Sequence, residues 1–344
     1  MSEEKDSMRA IVYDAPEVFR VHEIPTPSPG PGELRFRVEL AGVCGTDHHI
    51  HDGSFFAAFP LTPGHEPVGI VDAIGDGVDG FRIGQRIVAT GVGGCGTCSN
   101  CRRGRPLLCA NLTALGVTGP GAFAEYMVAP AAWCFDASDL TPEVAVLAEP
   151  TACAIHGVER LRVAPGSRAL VFGAGPTGLI LAQLLATGGA AHVTVAAPSD
   201  HKLRLALTLG VDAAVKIGRD GSGYERLTEA APEGYDVVVD ATGASAVAER
   251  ALGLVRDGGT VLIYGVTSPN ESVTINPFDV YRREITITGS FAQISSFPDA
   301  LAALRSGRVL TRGLITHRYP LDRFGDALTA VSTDPTAHKV VIAP

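Results

Sequence analysis

The sequence predicts an α/β protein in two parts: a β-rich part built from both chain ends and, between them, a parallel sheet wound with helices. Three observations predict it. The first 140 residues hold short β-type runs broken by glycine and proline, strand-like and helical runs alternate from about Arg168, and one of those later strands runs into a glycine turn that opens a helix. A chain of 344 residues is longer than one ordinary core and suits two domains. With 46% apolar and 19% charged residues it has enough hydrocarbon to bury both.

In chain order, AIVYD, LRFRVELAG, VGIVDAIG, RIVAT and AFAEYMVA read as strands of the first part. A helical pattern starts after Pro142 and runs through VAVLAEPTACAIHGVERL. The strands ALVFGAG, HVTVAAP, DVVVDATG and GTVLIYGV follow, separated by helical stretches such as LRLALTLG, which makes the sheet parallel. Beyond about Thr288 a helix is predicted over 298–306, then closing strands HRYPL and HKVVIA that return to the first part. The expected domains are therefore 1–150 completed by 290–344, and 151–289.

A net charge of −9, with no basic run longer than Arg102 and Arg103, repels phosphate backbones and excludes nucleic acid as a partner. The polar opening MSEEKDSMRA lacks the apolar core of a secretory signal, and no stretch reaches the roughly 18 apolar residues that span a bilayer. A cytoplasmic protein without a membrane partner is expected. In that reducing setting the seven cysteines read as thiolates, metal ligands or buried apolar residues rather than disulfides.

The strongest single signal is GGCGTCSNCRRGRPLLC, which sets Cys95, Cys98, Cys101 and Cys109 at C-x2-C-x2-C-x7-C. Four thiolates close a tetrahedral zinc shell and leave no position for substrate, so a structural zinc that folds a lobe is predicted. An iron–sulfur cluster on the same ligands, or four unconnected loop cysteines, are the alternatives. A second set has the opposite character: Cys44 in AGVCGTDHHIHDG, His65 and Glu66 in PGHEPVG, and Glu149 in AEPTAC. Mixed sulfur, imidazole and carboxylate donors from separate segments suit a catalytic zinc with an open position. Two zinc ions per chain are expected.

In LVFGAGPTGLILA, Gly173, Gly175 and Gly178 form G-x-G-x-x-G between a predicted strand and a predicted helix, with Pro176 and Thr177 at the helix start. Glycine permits the tight turn and lets backbone and helix N-terminus approach a pyrophosphate. An NAD site normally carries an acid at the end of the next strand, yet VTVAA ends in Ala197. Asp200 comes three residues later, as a helix-start residue beside Ser199. Without the acid there is room and no repulsion at the ribose 2′ position, and Ser199 and Lys202, with His201 or Arg204, could meet phosphate oxygens. NADP(H) is expected first and NAD(H) second, since no arginine directly follows Ala197. Thr242, Gly265 and Val266, at the ends of DVVVDATG and VLIYGV, are expected to border the nicotinamide; ordinary loop residues are the other reading.

Together and in this order, C-G-T-D-x-H, GHE, the four-cysteine loop and G-x-G-x-x-G resemble the zinc-dependent medium-chain dehydrogenases, and Glu149 in AEP resembles their sorbitol (polyol) dehydrogenase branch. The resemblance spans nearly the whole chain. It implies a GroES-like catalytic domain from both chain ends with a Rossmann domain between them, and a homodimer or homotetramer. By the same resemblance Cys44 and His65 are zinc ligands, while Glu66 and Glu149 coordinate directly or through water. Thr46 and His49 match a proton relay that runs across the nicotinamide ribose to solvent, a task suited to an imidazole of unperturbed pKa about 6.5. His48 and His51 match no role and read as surface histidines.

The substrate implied is a sugar alcohol or related diol oxidised at a secondary carbon, or a ketose reduced, with zinc as Lewis acid. One position departs from the pattern. Sorbitol dehydrogenases carry an arginine for substrate hydroxyls where TGSFAQ has Ala292, with Gln293 beside it as a neutral substitute. Phe55, Phe56 and Phe291 would form an apolar wall or simply pack. Amino alcohols of threonine or inosamine type stay open as substrates, as does a non-catalytic dinucleotide-binding protein on the same fold.

Overall fold

The computed structural model describes residues 6–344, so the first five residues of the polar opening lie outside the described residues. The chain divides into two compact units. One runs to Glu149 and includes Gln293–Arg305 and Ile315–Pro344; the other comprises Pro150–Ala292 and Ser306–Leu314.

In the first unit, β1 (Ser7–Ala15) and β2 (Val18–Pro25) pair as an antiparallel ribbon. Then follow β3 (Glu33–Val43), β4 (Glu66–Ile74), β5 (Arg86–Ala89), β6 (Val92–Gly93), β7 (Thr113–Ala114), β8 (Tyr126–Pro130) and β9 (Cys134–Asp136). The runs read from sequence are β1, β3, β4, β5 and β8, while β2, β6, β7 and β9 were not read; β3 pairs antiparallel with β4, and β4 with β5. The predicted helix after Pro142 is two pieces, Pro142–Ala145 and Ala148–Glu159.

The second unit holds β10 (Arg168–Phe172), β11 (His192–Ala197), β12 (Ala213–Lys216), β13 (Tyr235–Asp240), β14 (Val255–Ile263) and β15 (Thr286–Gly289) in one sheet. All neighbours are parallel and the order is β12-β11-β10-β13-β14-β15. Counted from β10 this is 3-2-1-4-5-6, the Rossmann order, whose strand sequence reverses between β10 and β13. Those central strands read as continuous apolar runs, ALVF and VVV, because both faces of a parallel sheet are covered. Leu170, Phe172 and Val238 lie fully buried in its core.

The chain then returns: β16 (Ile315–Tyr319) and β17 (Lys339–Ile342) join β3 in the order β16-β17-β3-β4-β5-β9, with β8 also on β3. The helix expected over 298–306 is Phe297–Arg305. The sequence reading gave all of 290–344 to the β-rich domain, but Ser306–Leu314 groups with the second unit. The buried Gln183 amide explains why: its Oε1 accepts from Leu310 N at 2.7 Å and its Nε2 donates to Leu310 O at 3.3 Å.

A helix the sequence reading missed, Phe324–Thr333, seals the first unit. Phe324 packs edge-on against Phe19 (centroids 5.1 Å apart) and lies 5.0 Å from the Phe123 ring, so β2, the 115–124 loop and the returning chain meet on one side chain. Replacing Phe324 with Ala leaves a cavity there and should cost about 3 to 5 kcal/mol of unfolding free energy in urea, whereas a loss under about 1 kcal/mol would remove it from the core's support.

Candidate metal and dinucleotide sites

The helix Gly45–His51 begins at Cys44, whose thiol accepts from Thr46 N at 3.2 Å, while Asp47 reaches back to accept from Cys44 N at 2.9 Å. This reciprocal cap fixes Cys44 at the end of β3 and turns its sulfur toward β4. There His65 Nε2 lies 3.1 Å from Cys44 Sγ. One ligand atom each from Cys44, His65 and Glu66 falls within 4.8 Å of the others, an arrangement that could hold one metal ion.

The electrostatics favour a cation there. Burial pulls the His65 imidazole down, but the Cys44 thiolate and the carboxylates of Asp47 and Glu149 outweigh it and raise the pKa well above the usual value. A proton, the smallest cation, is drawn into the space where a metal would bind. Asp47 is the residue the sequence reading overlooked. It is buried, its Oδ1 lies 3.8 Å from His65 Nδ1, and burial pushes its pKa up against the pull of His65. At that separation no hydrogen bond joins them, so Asp47 acts on the imidazole as a nearby buried charge.

Glu66 and Lys339 make the second feature missed from sequence. Lys339 Nζ lies 2.6 Å from Glu66 Oε1, with both side chains 3% exposed or less. Burial would lower the ammonium's pKa, but Glu66, Cys44 and Glu149 together raise it. Gly42, paired with Glu66 across β3 and β4, makes the room: a Cβ there would overlap Glu66 Oε2 and lie 2.8 Å from Lys339 Cε. Glu149, at the start of its helix, acts on His65 and Lys339 through its field and is not one of the three clustered residues.

Thr46 and His49 stand one turn apart on the same helix face. His49 Nδ1 lies 2.9 Å from Ser54 Oγ and 4.0 Å from Asp52 Oδ2. His48 and His51 are not the surface histidines expected: His48 Nε2 lies 2.8 Å from Leu328 O and His51 Nδ1 lies 3.0 Å from Tyr13 OH. Both tie the helix to the core. Gln293, after Ala292 in the left-handed region at φ +46, is fully buried and donates to Thr90 Oγ1 at 2.9 Å. Phe55 and Phe56 stack on each other at 4.3 Å, with Phe56 and Phe291 exposed.

In the loop after β6, all four sulfurs of Cys95, Cys98, Cys101 and Cys109 fall within 4.8 Å of one another. Backbone amides turn inward: Cys95 N donates to Cys109 Sγ at 3.2 Å, Cys98 N to Cys95 Sγ at 3.4 Å, and Cys101 N to Cys98 Sγ at 3.5 Å. The thiols split in consequence. Hydrogen bonds from the Thr97 hydroxyl and amide draw Cys95 down to about 5, while partial burial and the neighbouring sulfurs push Cys101 up to about 12. Four crowded sulfurs cannot all ionise unless a cation joins them. The cluster fits a metal, and all seven cysteines are free.

In the second unit, Gly173 takes φ +104, which suits glycine, and Gly178 packs so closely on Gly173 O that a Cβ would overlap it. A Cβ on Gly175 would meet nothing within 4 Å. That open space lies in front of the helix Pro176–Thr187, where Thr177 and Gly178 carry first-turn N–H groups, the cradle a pyrophosphate would fill. Ala197 is buried at the end of β11, and Ser199 caps the next helix by accepting from Lys202 N at 3.4 Å. Thr242 spends its hydroxyl and amide on Asp240 Oδ1, at 2.6 and 2.9 Å. Gly243 fits against Val266 O and Gly265, bringing the ends of β13 and β14 together.

Residues 30–139 match the model of the alcohol dehydrogenase GroES-like domain, and residues 176–306 that of the zinc-binding dehydrogenases. D-arabinitol dehydrogenase 1 of Uromyces fabae is 41% identical over 95% of this chain and 94% of its own. The chain belongs to the zinc-dependent medium-chain dehydrogenases. Its place is the polyol-dehydrogenase-like branch, and it is an alcohol or polyol dehydrogenase using a nicotinamide cofactor. D-altritol 5-dehydrogenase of Agrobacterium fabrum is 39% identical over 93% of this chain and 95% of its own. A zinc-binding dehydrogenase of Sinorhizobium meliloti 1021, solved bound to NADP, superposes with a TM-score of 0.92 at 32% identity, covering 99% of this chain and all of the other. No helix among the described residues is long and apolar enough to cross a membrane.

The Glu66–Lys339 pair can be tested directly. Lys339→Met strands a buried carboxylate and should cost about 3 to 5 kcal/mol by chemical denaturation, with Glu66→Gln added to Lys339→Met recovering part of it. Equal stability of the wild type and Lys339→Met would mean that Lys339 is not what compensates the Glu66 carboxylate.

Proposed function

We propose that the protein oxidises a secondary alcohol of a polyol, sugar alcohol or related diol to a ketone or ketose, and runs the reverse reduction, with NADP(H) favoured and NAD(H) second. The observation that carries this reading is the convergence of Cys44, His65 and Glu66 on one point. The polyol dehydrogenases among its relatives, D-arabinitol dehydrogenase 1 and D-altritol 5-dehydrogenase, support the substrate class. The NADP-bound relative and the missing acid at Ala197 support the cofactor. We assign two zinc ions per chain, one to Cys44, His65 and Glu66 with Glu149 at longer range, the other to Cys95, Cys98, Cys101 and Cys109. The first zinc, when bound, supplies Lewis acidity at the alcohol oxygen.

The chain's own residues do the rest. In this reading Asp47 supports His65 as a nearby charge, Thr46 takes the alcohol proton, and His49, beside Ser54 and Asp52, releases it to solvent. Gly173, Gly175, Pro176, Thr177 and Gly178 hold the pyrophosphate, and Thr242, Gly265 and Val266 border the nicotinamide. Assembly as a homodimer or homotetramer in the cytoplasm belongs to the same reading.

Cys44→Ser should lower turnover by about 100-fold or more and halve the bound zinc, with the protein still folded because the lobe zinc stays. Polyols including D-arabinitol and D-altritol, with L-threonine beside them, should be assayed with both cofactors. Faster turnover of L-threonine than of any polyol would move the substrate to amino alcohols. Full activity in Cys44→Ser would end the metal assignment.

A further inference from the structure

The end of β11 and the end of β12 carry a charge arrangement that the reading above leaves unused. Ala197 and Lys216 are register partners in adjacent parallel strands, so their side chains leave the sheet on the same face, about 4.8 Å apart at the backbone. Lys216 Nζ reaches across to Asp200 Oδ2 at 2.6 Å. Asp200 opens the helix Asp200–Thr208, three residues beyond the position where an NAD-binding chain places its ribose-reading acid. The only carboxylate in the segment 197–204 is therefore neutralised, and the cation that neutralises it comes from the residue paired with Ala197.

We propose that Lys216 recognises the 2′-phosphate of the cofactor, and that Asp200 holds its ammonium in place until the phosphate replaces the carboxylate. This rests on the NADP(H) reading and names the residue that would carry it. Three observations lead there. Ala197 offers neither bulk nor charge against a phosphate. Lys216 already spans the distance from β12 to residue 200. Both partners of the pair are more than half exposed, so their bond is worth little in water and exchanges readily for a doubly charged phosphate. With NAD(H), which has only hydroxyls at that position, the pair would stay closed. Asp200 then acts as a weak selector, since it competes with the phosphate for one ammonium. Lys202, whose amide caps on Ser199, is the rival candidate.

The experiment is a set of dissociation constants for NADP⁺, NAD⁺ and adenosine 2′-monophosphate, measured by calorimetry at fixed ionic strength on the zinc-loaded wild type, Lys216→Ala, Lys216→Arg, Lys202→Ala and Asp200→Asn. Lys216→Ala should weaken NADP⁺ and adenosine 2′-monophosphate about tenfold or more and NAD⁺ by no more than about twofold, with Lys216→Arg restoring most of the loss. Asp200→Asn should tighten both phosphate-bearing ligands. An unchanged NADP⁺ to NAD⁺ ratio in Lys216→Ala, or a loss confined to Lys202→Ala, overturns the role of Lys216 and leaves an NADP⁺-preferring wild type intact. A wild type that binds NAD⁺ more tightly and ignores adenosine 2′-monophosphate overturns both readings.

Discussion

The buried contact between Glu66 and Lys339 is the constraint on which the first unit's chemistry depends. It joins β4 to β17, 273 residues apart in sequence, beside Cys44 and His65. Neither charge could sit there alone: a lone ammonium would repel a metal, and a lone carboxylate would leave the cluster strongly negative. Paired, they let a buried carboxylate lie beside the Cys44 sulfur. The return of the chain to complete the β-sheet is thus part of the site. Gly42 belongs to the same constraint, because only a residue without a side chain leaves space for the two ends to meet.

The second unit solves a different problem, the approach of an anion to backbone. Its means are the left-handed turn at Gly173, the close contact of Gly178 on the Gly173 carbonyl, and the empty space at Gly175. Each glycine has its own reason, which is why the pattern is informative only between a strand and a helix. The proposed discrimination between dinucleotides rests instead on side-chain charge at β11, β12 and the helix after Ser199.

Much of this was legible in the sequence because the signals were local or regularly spaced. The strand and helix runs, the four cysteines and the glycine turn each fit within about 20 residues, the range over which period and spacing carry information. Alternation gave a parallel sheet wound with helices, but not its strand order, and the short strands β12 and β15 were not read. What escaped was set by distant partners. Lys339 reads as one polar residue in a closing strand, and only the β3–β4–β17 pairing brings it to Glu66. Asp47 sits in plain view in CGTDHH, but its link to His65 depends on a helix capped by a cysteine, which standard capping patterns do not include. Ser306–Leu314 was misassigned for a related reason: it is tied to the second unit by bonds to Gln183 and Thr187, more than 100 residues earlier.

The central claim is that Cys44, His65 and Glu66 converge to bind one zinc ion that the four-cysteine lobe does not share. Anomalous diffraction at the zinc edge, from crystals grown with zinc, tests it most directly. Two peaks per chain are expected, one amid Cys95, Cys98, Cys101 and Cys109 and one bonded to Cys44 and His65 with a Glu66 oxygen in reach. A single peak in the lobe, with Cys44 and His65 holding no atom in common, would contradict it.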